Sequence, residues 1–362
     1  MIISKDNFIT DNMTNTVCYS SLLHGKSNGL DPQLRVKMYA ALKESVTTLK
    51  HYDLLNTRDI WSRDYMPVQL TNDLFLNYTY SPDYLSDQKA YITNWLLHKV
   101  HTDKADKLNL NVVTIPLILD GGNVIKAIDK FGKPTIIMCS KVLNENNLSK
   151  EELTDWWNQF FDNQIRLILI EWEGKDENPI GHADGMVRYI NEGKVLITNY
   201  CDLDDEERLS EPLKEYFDIE RLHFGDIEGI KGTKMWSLLK SRSWGYINFL
   251  QVGKRIIVPK LDWDELDKAA VQQIQQAFGA SYEVELIDCD MTQILENSDV
   301  NTNSGGGLNC LTWTLKPFFI SWRWYCSVFS PNNIIFHHLL GRKIITLFNT
   351  TIITSITNVN MA

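Results

Sequence analysis

The sequence predicts a single α/β domain assembled from several similar strand–helix units. Short strand-like apolar runs recur along the chain, helical stretches fall between them, and no Pro/Ser-rich linker breaks the alternation. Two tight turns, Asn191-Glu192-Gly193 and Val252-Gly253, join neighbouring runs as β-hairpins do.

Taken in order, residues 30–50 place Leu34, Val36, Met38, Tyr39, Leu42, Val46 and Leu49 at helical spacing behind Asp31-Pro32, a cap and a first turn. Strands are expected at 66–70, 74–80, 112–119, 134–139, 166–170, 186–190, 194–198, 246–251, 255–258 and 282–287. Helices are expected at 87–99, 150–161, 206–216 and 263–278. The units share a rhythm without visible sequence identity.

Composition narrows the function. Of 362 residues, 44% are hydrophobic and 23% charged, as in soluble globular proteins. Lys and Arg number 36 against 46 Asp and Glu, a formal net charge of −10. That balance lacks the basic surface a nucleic-acid binder needs and is compatible with a cationic substrate. The six cysteines, at 18, 139, 201, 289, 310 and 326, include no CxxC pair. Neither a zinc site nor a disulfide framework is expected, and reduced thiols of a cytoplasmic enzyme fit better. Residues 1–7 carry no apolar signal core.

The composition changes near the end. No Asp or Glu follows Asp299, and 317–362 is rich in Phe, Trp, Ile, Asn and Thr, with Arg323, Arg342 and Lys343 its charges. Arg323 interrupts 317–329, and His337, His338, Arg342 and Lys343 interrupt 334–353. Neither stretch is an unbroken apolar run of about 18 residues, so no membrane span is expected. The domain is expected to occupy 1–316, with 317–362 an atypical apolar tail from a shifted frame or a read-through extension.

Four segments can carry chemistry. Cys310 follows Gly305-Gly306-Gly307 on a polar loop. It is either a nucleophile on a turn that lets a ligand approach or a bystander on a surface loop. In Gly181-His182-Ala183-Asp184-Gly185, an extended backbone would point His182 and Asp184 to one side, an acid/base beside a substrate clamp; a surface pair is the alternative. In Arg58-Asp59-Ile60-Trp61-Ser62-Arg63-Asp64, Asp64 faces a pocket lined by Trp61, or the segment is an ion-paired turn anchored by Trp61 with Arg63 structural. Asp120-Gly121-Gly122-Asn123 reads as a hairpin turn, or as a close approach to ligand.

In this order the four segments, with Tyr246-Ile247-Asn248-Phe249 and Ile256-Ile257-Val258-Pro259, resemble the agmatine deiminase and bacterial-type peptidylarginine deiminase family over about residues 57–316. The resemblance implies a five-bladed α/β-propeller, the pentein fold, of ββαβ-like units around a central active site. It implies Cys310 as nucleophile, His182 as general acid/base, and Asp64 and Asp184 as the carboxylates that grip a guanidinium. Trp61, Asp120, Gly121, Gly122, Asn123, Gly305, Gly306 and Gly307 are then expected to border the substrate. Agmatine would be hydrolysed to N-carbamoylputrescine and ammonia through a covalent amidino-thioether, with no metal and no organic cofactor. The alternatives are an arginine or peptidylarginine deiminase, an inactive guanidino-binding relative, or transfer of the amidino group to an amine. The partner is a small cationic guanidino compound, neither nucleic acid nor membrane, and a homo-oligomer is left open. The sequence departs from the family where histidine often precedes the cysteine: here it is Asn309, which cannot take up a proton.

Overall fold

The computed structural model describes residues 2–24, 32–83, 89–105, 107–171, 181–198, 203–224, 244–292 and 306–316. Strand β1 (Thr16–Ser20) leads through helix α1 (Pro32–Ser45) to β2 (Lys50–Leu55), then comes the single turn of α2 (Ser62–Tyr65). The hairpin β3 (Val68–Gln69) and β4 (Phe75–Thr79) follows; β5 (His101–Thr102) returns to the edge of β2, and β6 (Val112–Ile118) lies parallel to β4. The same course repeats in β7 (Ile125–Ile128), β8 (Pro134–Cys139), helices α3 (Lys141–Asn146) and α4 (Lys150–Phe160), and β9 (Arg166–Ile170). It repeats again in β10 (Val187–Asn191), β11 (Lys194–Ile197), α5 (Leu203–Lys214) and β12 (Asp218–Arg221). After α6 (Trp244–Ile247), β13 (Leu250–Val252), β14 (Arg255–Lys260), α7 (Asp264–Phe278) and β15 (Glu283–Asp290) form the next unit. The one-turn helix α8 (Leu308–Leu311) leads into β16 (Thr312–Leu315).

These strands form five small sheets, and each centres on an antiparallel pair whose second strand takes a parallel partner. Parallel neighbours need a long crossover, which is why the helices lie between second and third strands. The chain ends close the figure. Strand β16 pairs antiparallel with β1, Cys18 opposite Trp313, so the first unit borrows its opening strand from the far end of the domain. The architecture is a five-bladed α/β propeller.

Middle strands are buried on both faces, β1 and β8 at every residue, which accounts for the continuous apolar run at 134–139. Helix α4 starts at a capping box in which Ser149 Oγ accepts from the Glu152 amide and Glu152 returns the bond to the Ser149 amide. Both expected hairpins form, with Gly193 at φ +76° and Gly253 at +61°, where a side chain would be strained.

Several expectations are corrected. The helix expected at 87–99 is, within the described residues, a 3₁₀ turn at Lys89–Tyr91 followed by turns. Its apolar residues pack singly; Trp95, for example, donates its indole N–H to Asn77. The turn at 120–123 is no hairpin, because β6 and β7 belong to different sheets. The strand expected at 246–251 begins as α6, and the first helix stops at Ser45 so that β2 can start. Strands β1, β2, β5, β7, β12 and β16 were not expected; β5, β7, β12 and β16 are two to four residues long, and polar residues interrupt β1 (Thr16, Ser20) and β2 (Lys50, Asp53). The tail at 317–362 and Gly305 lie outside the described residues.

Candidate active site

Ahead of the opening strand of every unit, the chain makes one short helical turn: α2, Gly121–Asn123, Ala183–Gly185, α6 and α8. Successive turns touch one another around a closed ring, α2 to Gly121–Asn123, to Ala183–Gly185, to α6, while α8 packs back on α2. Asn248, just past α6, completes the circuit by accepting the Asn309 amide on its carbonyl at 3.1 Å. Asp64 on α2, Asp184 on the 183–185 turn and Cys310 on α8 reach the centre with the Gly122 amide and with Asn248 just past α6, so five sequence-distant segments meet in one place.

Cys310 is 6% exposed and its thiol donates to Asp184 Oδ2 at 3.4 Å. One ligand atom each of His182, Asp184 and Cys310 lies within 4.8 Å of the others. His182 uses its two ring nitrogens on opposite sides: Nε2 meets Asp120 Oδ2 at 2.8 Å, and Nδ1 faces Asp64 Oδ1 at 3.7 Å. The Gly122 amide donates to Asp64 Oδ1 at 2.9 Å. A Cβ at Gly122 would lie 2.7 Å from both Asp64 Oδ1 and His182 Nδ1, so any side chain there would occupy the site. Asp184 Oδ1, buried, accepts no hydrogen bond among the described residues.

The electrostatics follow from packing acids together without water. Burial, then Asp184 and Asp64, push the Cys310 thiol well above its ordinary value, so the resting sulfur is protonated. Burial opposes charge on His182, but Asp64 and Asp120 outweigh it and raise its pKa to about 9, so the imidazole is cationic at neutral pH. Burial, with Asp120 and Asp184 nearby, raises Asp64 above the usual carboxylate range, against the pull of His182. Beneath these groups Arg188, 1% exposed, lies 4.4 Å over the Phe249 ring and bonds Asp11 at 3.3 Å. Its charge reaches both Asp184 and Cys310.

The structure therefore brings Cys310, His182, Asp64 and Asp184 together. The 182–185 backbone is not a plain extended run; His182 is extended and Ala183–Gly185 is a 3₁₀ turn, yet both side chains reach the centre. The residues expected to border substrate divide. Gly122 faces the site. Asp120 instead holds His182 from behind and lies 3.8 Å from the buried Lys141 Nζ. Asn123 is bound to the Cys139 amide and carbonyl and to the Ala183 amide, because its two side-chain atoms satisfy buried backbone between two units. Gly121 packs on the Arg63 carbonyl. Trp61 lies against Gly306, whose added Cβ would come within 2.3 Å of the indole, and Gly307 lies against Asn248. Close backbone contacts of this kind explain two of the loop's three glycines.

Sequence reasoning gave no role to Asn248, which also accepts the Cys310 amide at 3.3 Å, although its segment was among the family-like ones. Nor did it give one to Lys141 or Arg188. A buried cation is invisible in sequence until its carboxylate partners are placed.

The donor set of His182, Asp184 and Cys310 has the residue types of a metal site. With the sulfur protonated and the histidine cationic, both would first have to lose protons to ligate.

Comparison with known proteins places the chain in a family and a fold. Residues 31–315 match the family described as Porphyromonas-type peptidyl-arginine deiminase. Two Legionella pneumophila proteins named "Putative agmatine deiminase" are 27% identical over 207 residues, and the chain spans about half their length (55%, against 54% of this chain). Among solved structures, the C. jejuni agmatine deiminase superposes with a TM-score of 0.56 at 18% identity, covering 85% of this chain and 95% of that one. The Enterococcus faecalis agmatine deiminase superposes at 0.58 and 14% identity, covering 88% and 98%. At such identities the likeness is one of fold.

Proposed function

The chain belongs to the Porphyromonas-type peptidyl-arginine deiminase family, and from that premise we propose that it hydrolyses agmatine to N-carbamoylputrescine and ammonia through Cys310. The observation that carries the reading is the Cys310 thiol donating to Asp184 Oδ2 at 3.4 Å in a buried centre shared with Asp64, where Asp184 Oδ1 has no hydrogen-bond donor among the described residues. A planar guanidinium supplies paired N–H donors, so Asp184 and Asp64 would take it edge-on and set its carbon before the sulfur.

The chemistry follows from the charges. The entering cation compensates the carboxylates and favours release of the thiol proton to solvent, leaving the thiolate beside the cationic His182. The thiolate attacks the guanidinium carbon, forming the C–S bond. The His182 imidazolium gives its proton to the departing nitrogen as the C–N bond breaks and ammonia leaves. Neutral His182 then takes a proton from water as that water adds to the amidino-thioether carbon. Breaking the C–S bond releases the ureido product and restores the sulfur. Asp120 would hold the imidazole in orientation throughout. No step in this account requires a redox or organic cofactor.

Agmatine is preferred over arginyl compounds because the two Legionella pneumophila relatives carry the name "Putative agmatine deiminase", and a net charge of −10 suits a doubly cationic amine. The test is to incubate the protein with agmatine, free arginine and a peptide ending in arginine, measuring ammonia and ureido product. Product from agmatine, lost in Cys310→Ala, supports the proposal; product from arginyl compounds alone contradicts it.

A further inference from the structure

We propose that Asn309 is a positioning residue that couples Arg63 to Asp184, committing Asp184 Oδ2 to the protein and leaving Oδ1 for the substrate. Arg63, 8% exposed, donates from Nη2 to Asn309 Oδ1 at 3.1 Å and from Nε to the Asn309 carbonyl at 3.3 Å. Asn309 donates in turn from Nδ2 to Asp184 Oδ2 at 2.7 Å. A guanidinium can only donate, so the amide atom facing Arg63 must be oxygen, and the nitrogen is thereby turned towards Asp184. The amide cannot flip without setting two donors together and leaving the carboxylate oxygen against a carbonyl oxygen.

The rest of the environment holds this chain in place. Arg63 Nη2 also donates to Thr314 Oγ1 at 3.2 Å, on the closing strand β16. The Asn309 amide is bound to the Asn248 carbonyl. Asp184 Oδ2 consequently receives the amide at 2.7 Å and the Cys310 thiol at 3.4 Å, while Oδ1 receives no hydrogen bond from the described residues. The charged groups around the sulfur come from three other elements: Asp64 on α2, His182 and Asp184 at the 183–185 turn, and Arg188 on β10. Among them Asn309 is neutral, so it carries the arginine's donation across without adding an ionisation. A neutral imidazole, with one N–H towards Asp184 and its bare nitrogen towards Arg63, would have the same polarity.

The effect on substrate rests on the guanidinium reading above; the effect on the thiol does not. Removing the amide donor leaves Oδ2 to the thiol alone, which then holds its proton more firmly. The experiment uses the full chain as wild type, Asn309→Leu, Asn309→Ala and Asn309→His. Cys310 alkylation by iodoacetamide, read by peptide mass, is followed across roughly pH 7 to 10 without substrate. Asn309→Leu and Asn309→Ala are expected to move the profile up by about one pH unit, and Asn309→His to return it to within a few tenths. With agmatine, Asn309→Leu is expected to lower kcat/KM about thirtyfold, chiefly through KM, and Asn309→His to recover it within about threefold. An unmoved alkylation profile in both Leu and Ala variants, or a His variant as impaired as Leu, overturns the proposal. If the wild type releases no ammonia from agmatine while the alkylation profiles shift as stated, the agmatine reading fails and the positioning role stands.

Discussion

Gly122 shows how little room the centre leaves. Its backbone bonds Asp64 while the Cβ position falls between Asp64 and His182. Gly122→Ala is expected to lower kcat/KM by about a hundredfold or more, since an ångström of displacement at the reacting groups costs on that order. Gly132→Ala, strained at φ +76° but neighboured by Lys5 and Glu192 side chains and not by site residues, is the control for backbone strain outside the site. His182 gives a pH prediction. Its folded pKa of about 9 lies above the ordinary value, so its contribution to stability is complete below about pH 6.5 and is lost as pH rises through 9. The unfolding midpoint should therefore fall less between those limits in His182→Asn than in wild type; an equal fall would contradict it.

At the scale of elements, the closing strand carries the most consequence. Trp313 is 2% exposed and donates to the Pro67 carbonyl at 2.9 Å, and Lys316 exchanges backbone bonds with the Gln69 side chain. Trp313→Ala is expected to destabilise the domain by about 3–5 kcal/mol, read as a lower denaturant midpoint. A chain ended after Lys316 is expected to fold and keep its activity, whereas one ended after Leu311, lacking β16, is expected not to fold. Equal behaviour of the two would contradict the account of closure. This strand was unreadable in sequence because Thr312-Trp313-Thr314-Leu315 is four residues long and its partner β1 lies at the opposite end of the chain. The buried runs of β8 and β14 were legible for the opposite reason: both faces are covered, so the apolar pattern is continuous. The 87–99 stretch misled because helical spacing alone does not specify a helix when Trp95 is needed against Asn77.

Over the whole molecule, the propeller explains why the site is scattered in sequence. One turn per unit lies at the centre, and the four site residues come from three of these places: Asp64 from α2, His182 and Asp184 from the 182–185 segment, and Cys310 from α8. Cys310, His182 and Asp184 were recognisable as residue types in glycine-flanked segments, and Asp64 in the Arg-Asp pair that follows Trp61. The residues that hold them were less so: Arg63 was read as structural without a partner named, and Asn248, Lys141 and Arg188 were given no role, since their meaning depends on which units become neighbours. The central claim is that buried carboxylates hold a guanidinium before the Cys310 sulfur. Its most direct measurement is labelling at neutral pH with chloroacetamidine, a cation, beside chloroacetamide, its neutral counterpart, each normalised to free cysteine. The account predicts that the amidine labels Cys310 at least about a hundredfold faster, and that Asp64→Asn and Asp184→Asn each remove most of that preference. Equal labelling by the two reagents, or a preference that survives both substitutions, would contradict it.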